Sequence, residues 1–190
     1  MRIIAIVGMA GAGKSTVADM LVKKGYGYIR LGQITLDIIK EKGLEPTEEN
    51  ERPIREYIRE EHGMAAFATL NFVNIDELLK KGDVVVDNLM SWEEYLEFKK
   101  KYSDNFSTLA VFATAKIRTN RLSLRKYDPI KDPWMRNRPF SKIETMRRDH
   151  AEIVELNKAG PIAMADHTIV NEGTVDELRA SVKEFLESLS

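Results

Sequence analysis

Apolar and polar positions along the 190-residue chain fall into two alternating textures. Short runs rich in β-branched residues, RIIAIV (2–7), YGYIRL (26–31), DVVVDN (83–88), TLAVFAT (108–114) and HTIVN (167–171), show little polar alternation. Such runs predict strands of a parallel sheet covered on both faces. Between them, apolar residues recur at helical spacing near 14–24, 33–42, 53–61, 64–81, 92–102, 117–125, 141–156 and 175–189. The alternation predicts an α/β fold of three layers: a five-stranded parallel sheet with helices on both faces, in a single domain spanning 1–190. A crossover between parallel strands needs only about a dozen residues. The stretch 31–81 is far longer and predicts an inserted helical subdomain. KYDPIKDPWMRNRPFSK (126–142), with three prolines, mixed charge and no period, predicts a mobile loop that serves as a lid.

The stretch GMAGAGKS, residues 8–15, joins the first predicted strand to the first predicted helix. It satisfies G-x-x-x-x-G-K-[ST] at Gly8, Gly13, Lys14 and Ser15, in the strand-to-helix context that the phosphate-binding motif demands. Residues without bulk let consecutive backbone N–H groups turn inward on phosphate oxygens, and the following helix adds the positive end of its dipole. The loop Gly8, Met9, Ala10, Gly11, Ala12 and Gly13, with Lys14, Ser15 and Thr16, is therefore the expected ATP cradle. Lys14 is expected to reach the β and γ phosphates, and Ser15 to ligate Mg²⁺ through its hydroxyl. A second metal anchor is expected from a carboxylate at the end of a neighbouring strand, and VVVD supplies Asp87. The alternative role for Asp87 is to cap the helix that begins near Ser91.

Composition removes several other chemistries. No cysteine is present, so disulfides, thiolate zinc sites and thiol nucleophiles are excluded. His62, His150 and His167 share no ligand-like spacing. No apolar run approaches the roughly 20 residues of a membrane helix, and the N-terminal residues do not read as a signal peptide, which predicts a cytoplasmic protein without a membrane partner. The net charge is −1, yet eleven basic residues and only three acidic ones lie between Lys116 and Arg148. That block is expected to attract anions. A guanine-reading Asn/Thr-Lys-x-Asp segment does not follow the fourth predicted strand, where the chain reads AKIRTNR.

The ordered set of P-loop, RLGQITLDIIKEKG, Arg121 with Arg125, and ADHTIVNEGTVDEL resembles small-molecule P-loop kinases, in particular adenylate kinase and dephospho-CoA kinase. Over nearly its whole length the chain is similar to an archaeal P-loop nucleotide-kinase-like family. The resemblance implies that 31–81 binds the phosphoryl acceptor, that Arg121 lies over the adenine, that Arg125 reaches the phosphates and that Asn171 and Gly173 shape the adenine pocket. Arg136 and Arg138 on the lid are expected to swing in when it closes. Trp134 is expected to anchor that loop by packing. Two departures stand out: Arg30 occupies the end of the second strand, where dephospho-CoA kinases carry an aspartate, and DNLMS lacks the arginine that adenylate kinases carry after the third. Acceptor binding is therefore assigned to Arg30, Arg55 and Arg59. The expected activity is Mg-ATP-dependent phosphoryl transfer to a small molecule, a nucleotide or nucleotide-like acceptor. The rivals are an ATP-binding regulatory or RNA-associated ATPase, in which the basic block contacts nucleic acid, and a P-loop scaffold without catalysis.

Overall fold

The computed structural model describes residues 1–126, 128, 130, 132 and 138–189. In chain order the elements are β1 (Ile3–Val7), α1 (Lys14–Val22), β2 (Gly27–Arg30), α2 (Gln33–Glu41), α3 (Glu48–His62), α4 (Ala66–Thr69), α5 (Phe72–Leu79), β3 (Val84–Asp87), α6 (Trp92–Tyr102), β4 (Phe106–Phe112), α7 (Ala115–Ser123), α8 (Lys142–Val154), α9 (Ala159–Ala163), β5 (His167–Val170) and α10 (Val175–Ser188). The five strands form one sheet in the order β2, β3, β1, β4, β5, and every pairing is parallel.

Successive strand residues point to opposite faces, and both faces are covered. Ile3, Ala5 and Val7 of β1 enter one core with Val84 and Val86 of β3, Ile75 of α5, and Phe98 and Tyr102 of α6. Ile4 and Ile6 enter the other with Leu109 and Val111 of β4, Leu21 of α1, and Val182 and Phe185 of α10. All five residues of β1 are fully buried, each valine or isoleucine contributing about 1.5–3 kcal/mol relative to an exposed position. This double burial is why the strands read as continuous apolar runs. It also makes β1 a firmly held base for the loop that leaves its carboxyl end, between β3 on one side and β4 on the other. Such a switch point in an open α/β sheet is where ligands bind.

Four local departures from the sequence reading have physical causes. Helix α3 begins at Glu48 rather than near Pro53, because the Thr47 side chain accepts from the Asn50 N–H and three glutamates fill the first turn. The helix expected over 64–81 is two, α4 and α5. Its break is held by Asn71, whose Nδ2 donates to the carbonyls of Leu31 (3.2 Å) and Phe67 (2.7 Å). Helix α7 ends at Ser123, so Arg121 and Arg125 do not share one helical face as expected; Arg125 lies past the helix end. Helix α9 was not anticipated, its sequence AGPIA carrying the glycine and proline that usually mark a loop.

Candidate active site

The loop between β1 and α1 closes as a tight turn, with Ala12 N–H donating to the Met9 carbonyl at 3.2 Å. Gly8 has φ +141°, and a Cβ there would stand 2.3 Å from the Val111 carbonyl oxygen of β4. Gly13 has φ +104°, and a Cβ there would stand 2.2 Å from Asn171 Nδ2. Both positions therefore demand glycine for conformation and for space. The loop leads into the first turn of α1, where Thr16 and Val17 N–H groups bond the Gly13 carbonyl. The N–H groups of an N-terminal turn and the dipole behind them favour a phosphate. The Lys14 ammonium donates to the Met9 carbonyl at 3.2 Å.

Asp87 ends β3, in register with Arg30 at the end of β2 and with Ile6 of β1. Its Oδ2 accepts from Ser15 Oγ at 3.3 Å and from Tyr28 OH at 3.1 Å, while its buried Oδ1 has no hydrogen-bond partner. It does not cap α6. That helix is capped by Ser91, whose Oγ accepts from the Glu94 N–H at 3.1 Å while the Glu94 carboxylate accepts from the Ser91 N–H. A serine hydroxyl beside a buried carboxylate with one oxygen open is a hard-oxygen donor set of the kind that suits Mg²⁺ held beside phosphates. Among the described residues no cluster of three His, Asp or Glu forms a protein-only metal cage.

Two cavities adjoin at this edge of the sheet. The smaller, about 70 Å³, is lined by the P-loop, Lys14, Ser15, Asp87 and Arg125. The larger, about 370 Å³, lies against α2, α3 and α8 and takes Arg55 and Arg59 into its wall. Arg30, Arg138, Arg148 and Glu152 line both. Arg55 pairs with Glu48 at 2.5 Å and with Glu51 at 3.1 Å. Arg59 lies over the Phe67 ring at 4.9 Å, with its buried Nε unpartnered. Arg138 donates to the Pro46 carbonyl at 2.8 Å and pairs with buried Glu51, and burial depresses its guanidinium to about 10. Residues 138–140, at the end of the segment expected to be a lid, pack against α7, Phe140 N–H bonding the Leu122 carbonyl at 3.2 Å. Arg136 and Trp134 lie outside the described residues.

The positions expected at the adenine separate. Arg121 Nη1 donates to the Asn171 carbonyl at 2.8 Å, which places that arginine beside the strand-to-helix turn after β5. The Asn171 side chain, however, donates to the Ala12 carbonyl at 2.7 Å and braces the P-loop. Gly173 lines neither cavity; it allows Glu177 to close the cap of α10, since a Cβ would stand 1.8 Å from Glu177 Oε2.

Four residues of the site were not singled out in the sequence. Arg118, buried on α7, grips Asp149 with Nη1 and Nη2 at 3.0 and 2.7 Å and donates to the Ala10 carbonyl at 2.9 Å, tying the P-loop to α8. Glu152 accepts from Arg148 Nε at 2.9 Å and from the buried Lys158 ammonium at 2.7 Å. Burial alone would raise the Glu152 carboxyl, but the ammonium of Lys158 and the guanidinium of Arg148 hold it at about 2. The i, i+4 spacing of Arg148 and Glu152 was a usable signal; Lys158 carried none, because it lies beyond the end of α8. Arg118, Arg121, Arg138 and Arg148 of the basic block are thus turned onto protein partners, while Lys116, Lys126, Lys142 and Arg147 are exposed.

The Lys14 amine is pulled down to about 7, first by desolvation and then by the charge of Lys158. A bound triphosphate would restore the ammonium, so the complex holds more protons than the free protein above pH 7. ATP binding at about pH 8 should therefore take up protons, and affinity should fall as pH rises from about 7. Calorimetry in buffers of different ionisation enthalpy measures this directly; proton release on binding would contradict it.

Residues 4–155 match a protein-family model described as an AAA domain. The UPF0200 protein of Sulfurisphaera tokodaii is 31% identical over 191 residues, covering 100% of this chain and 98% of the relative. A UPF0200/UPF0201 protein of Archaeoglobus fulgidus is 30% identical across the whole chain, which spans only 56% of that longer relative. Shikimate kinase from Bacteroides thetaiotaomicron superposes with a TM-score of 0.60 at 17% identity, covering 99% of this chain and 98% of that one. The chain belongs to the AAA domain family and to the archaeal UPF0200 proteins, and its sheet and helices have the fold of P-loop kinases.

Proposed function

We propose that this UPF0200 protein catalyses Mg-ATP-dependent phosphoryl transfer to a nucleotide or nucleotide-like small molecule. The observation that carries the reading is the wall common to the P-loop cavity and the 370 Å³ cavity, made by Arg30, Asn88, Arg138, Phe140, Arg148 and Glu152. A donor phosphate on one side and an acceptor on the other would meet at that wall. The larger cavity falls within the size range of small-molecule sites.

In this reading the amides of residues 8–15 and the N-terminus of α1 hold the triphosphate tail. Lys14 and Arg125 stabilise the charge that spreads over the transferring group, work that is positioning and electrostatics rather than covalent chemistry. Arg121, beside the 171–173 turn, fixes the base. Ser15 and Asp87 Oδ1 hold the metal, which when bound supplies neutralising charge to the phosphates. The segment 31–81 forms the acceptor site with Arg30, Arg55 and Arg59, and 126–142 is the lid that brings Arg138 over the junction. Excluding water there protects ATP from hydrolysis.

The test is product stoichiometry. With ATP, magnesium and a panel of nucleotides, coenzyme precursors and other small acceptors, one phosphorylated product should appear for each ADP. Release of inorganic phosphate alone, with or without RNA, would instead establish the regulatory ATPase.

A further inference from the structure

We infer that the attacking oxygen of the acceptor already carries negative charge, as in a phosphate monoester or a carboxylate, and is not an alcohol. The inference rests on the kinase reading above. The two reacting atoms must come within about 3–3.5 Å of each other, which places the acceptor oxygen at the wall between the cavities. An alcohol arriving there must surrender a proton to a group within hydrogen-bond reach.

Among the described residues, Glu152 is the one carboxylate that lines both cavities, and no histidine lines either. Both Glu152 oxygens are engaged, Oε1 by Arg148 and Oε2 by Lys158. Lys158 is 1% exposed, so protonating Glu152 would strand a buried ammonium without its counter-ion. Asp87 lines only the phosphate side, where its Oδ2 accepts from Ser15 and Tyr28 and its open Oδ1 is the oxygen that the kinase reading gives to the metal. The carboxylates confined to the acceptor side are engaged as well: Glu51 between Arg55 and Arg138, Glu48 by Arg55, Glu56 and Glu155 by Arg52, and Glu144 by the Ser141 N–H.

Where a base would be needed for an alcohol, the wall presents the guanidiniums of Arg30, Arg138 and Arg148. Guanidinium groups match phosphate and carboxylate oxygens in geometry and charge. They would also offset the repulsion between an anionic acceptor and the γ-phosphoryl group, the main obstacle to bringing two anions together.

The step balances without a base. A lone pair of the acceptor oxygen forms the bond to the γ-phosphorus. The bond from that phosphorus to its bridging oxygen breaks, and ADP leaves with the electron pair. No proton changes hands. An alcohol acceptor, by contrast, sheds one proton for each ADP formed.

The difference is measurable with the intact protein, ATP and magnesium in weakly buffered solution at about pH 8, where ADP and ATP are fully ionised. Three acceptor arms are compared: nucleoside monophosphates, small carboxylates, and alcohols including nucleosides and sugars. Proton release is followed with an indicator dye and the product by phosphorus NMR. The expected result is acceptor-dependent ADP without proton release. The product is a phosphoanhydride in the first arm or a hydroxylamine-trappable acyl phosphate in the second, which tells the two anion sources apart. A phosphomonoester formed with one proton per ADP overturns the inference and leaves the kinase reading intact. No acceptor-dependent ADP in any arm overturns the kinase reading and the inference with it.

Discussion

Lys14→Ala should lower kcat for phosphoryl transfer by about 10²–10³-fold, or about 3–4 kcal/mol of transition-state stabilisation. The buried amine donates to the Met9 carbonyl at 3.2 Å and lines one cavity with Arg30, Arg125, Arg138 and Arg148, where low dielectric strengthens its action on developing phosphoryl charge. Lys14→Met, which keeps the apolar stem, should fall as far, because charge and not volume is what the site loses. Neither change should lower the midpoint of thermal unfolding. The free protein holds this amine at a pKa of about 7 against burial and the charge of Lys158, and removing the group relieves that conflict. Steady-state kinetics beside a thermal scan measures both. A variant that retains full turnover would mean that Lys14 does not stabilise the transferring group, whereas a scaffold without catalysis would show no turnover in the unaltered protein either.

Glu152→Ala should be the most destabilising single change around the site. It leaves Lys158, 1% exposed, without the carboxylate 2.7 Å from its ammonium. Breaking a buried pair from one side costs about 3–5 kcal/mol, a large share of the 5–15 kcal/mol typical of a whole domain. The double variant Glu152→Leu/Lys158→Met should recover most of that loss in urea unfolding. Its kcat should stay low, because Arg148 has still lost the anchor that fixes its Nε. Stability and catalysis thus separate, which a purely structural role for Glu152 would not produce. The acid limb gives a second check. The carboxyl is held at about 2 in the native state, below its unfolded value near 4.3, so its stabilisation is complete above that value and fades as pH falls toward 2. The variant should lack that part of the acid transition.

The glycine loop after β1 was legible because its backbone demands are local. Gly8, Gly13, Lys14 and Ser15 sit within one turn of chain, and the positive φ at both glycines is a backbone demand that residue type announces. The strands were legible for a related reason: burial on both faces leaves no place for a polar residue, so RIIAIV and VVVD advertise their position by composition. The extra chain between β2 and β3 likewise announced the helical segment that walls the larger cavity. Helix ends were less legible, since Thr47 as a cap outweighed the proline at 53 and Asn71 broke a helix by reaching a distant carbonyl.

The sequence by itself determined the class of fold, the glycine loop and its lysine, and the aspartate that faces Ser15, each being written in residues close along the chain or at the end of a strand. Only the tertiary structure decided which of many arginines meet at the junction of two cavities. Arg30, Arg138 and Arg148 come from three separate segments, and the Glu152 and Lys158 that hold the junction gain their roles through burial beside one another. A charge acts on its neighbours in space, across distances that the sheet and its covering helices set. Spacing along the chain cannot encode that.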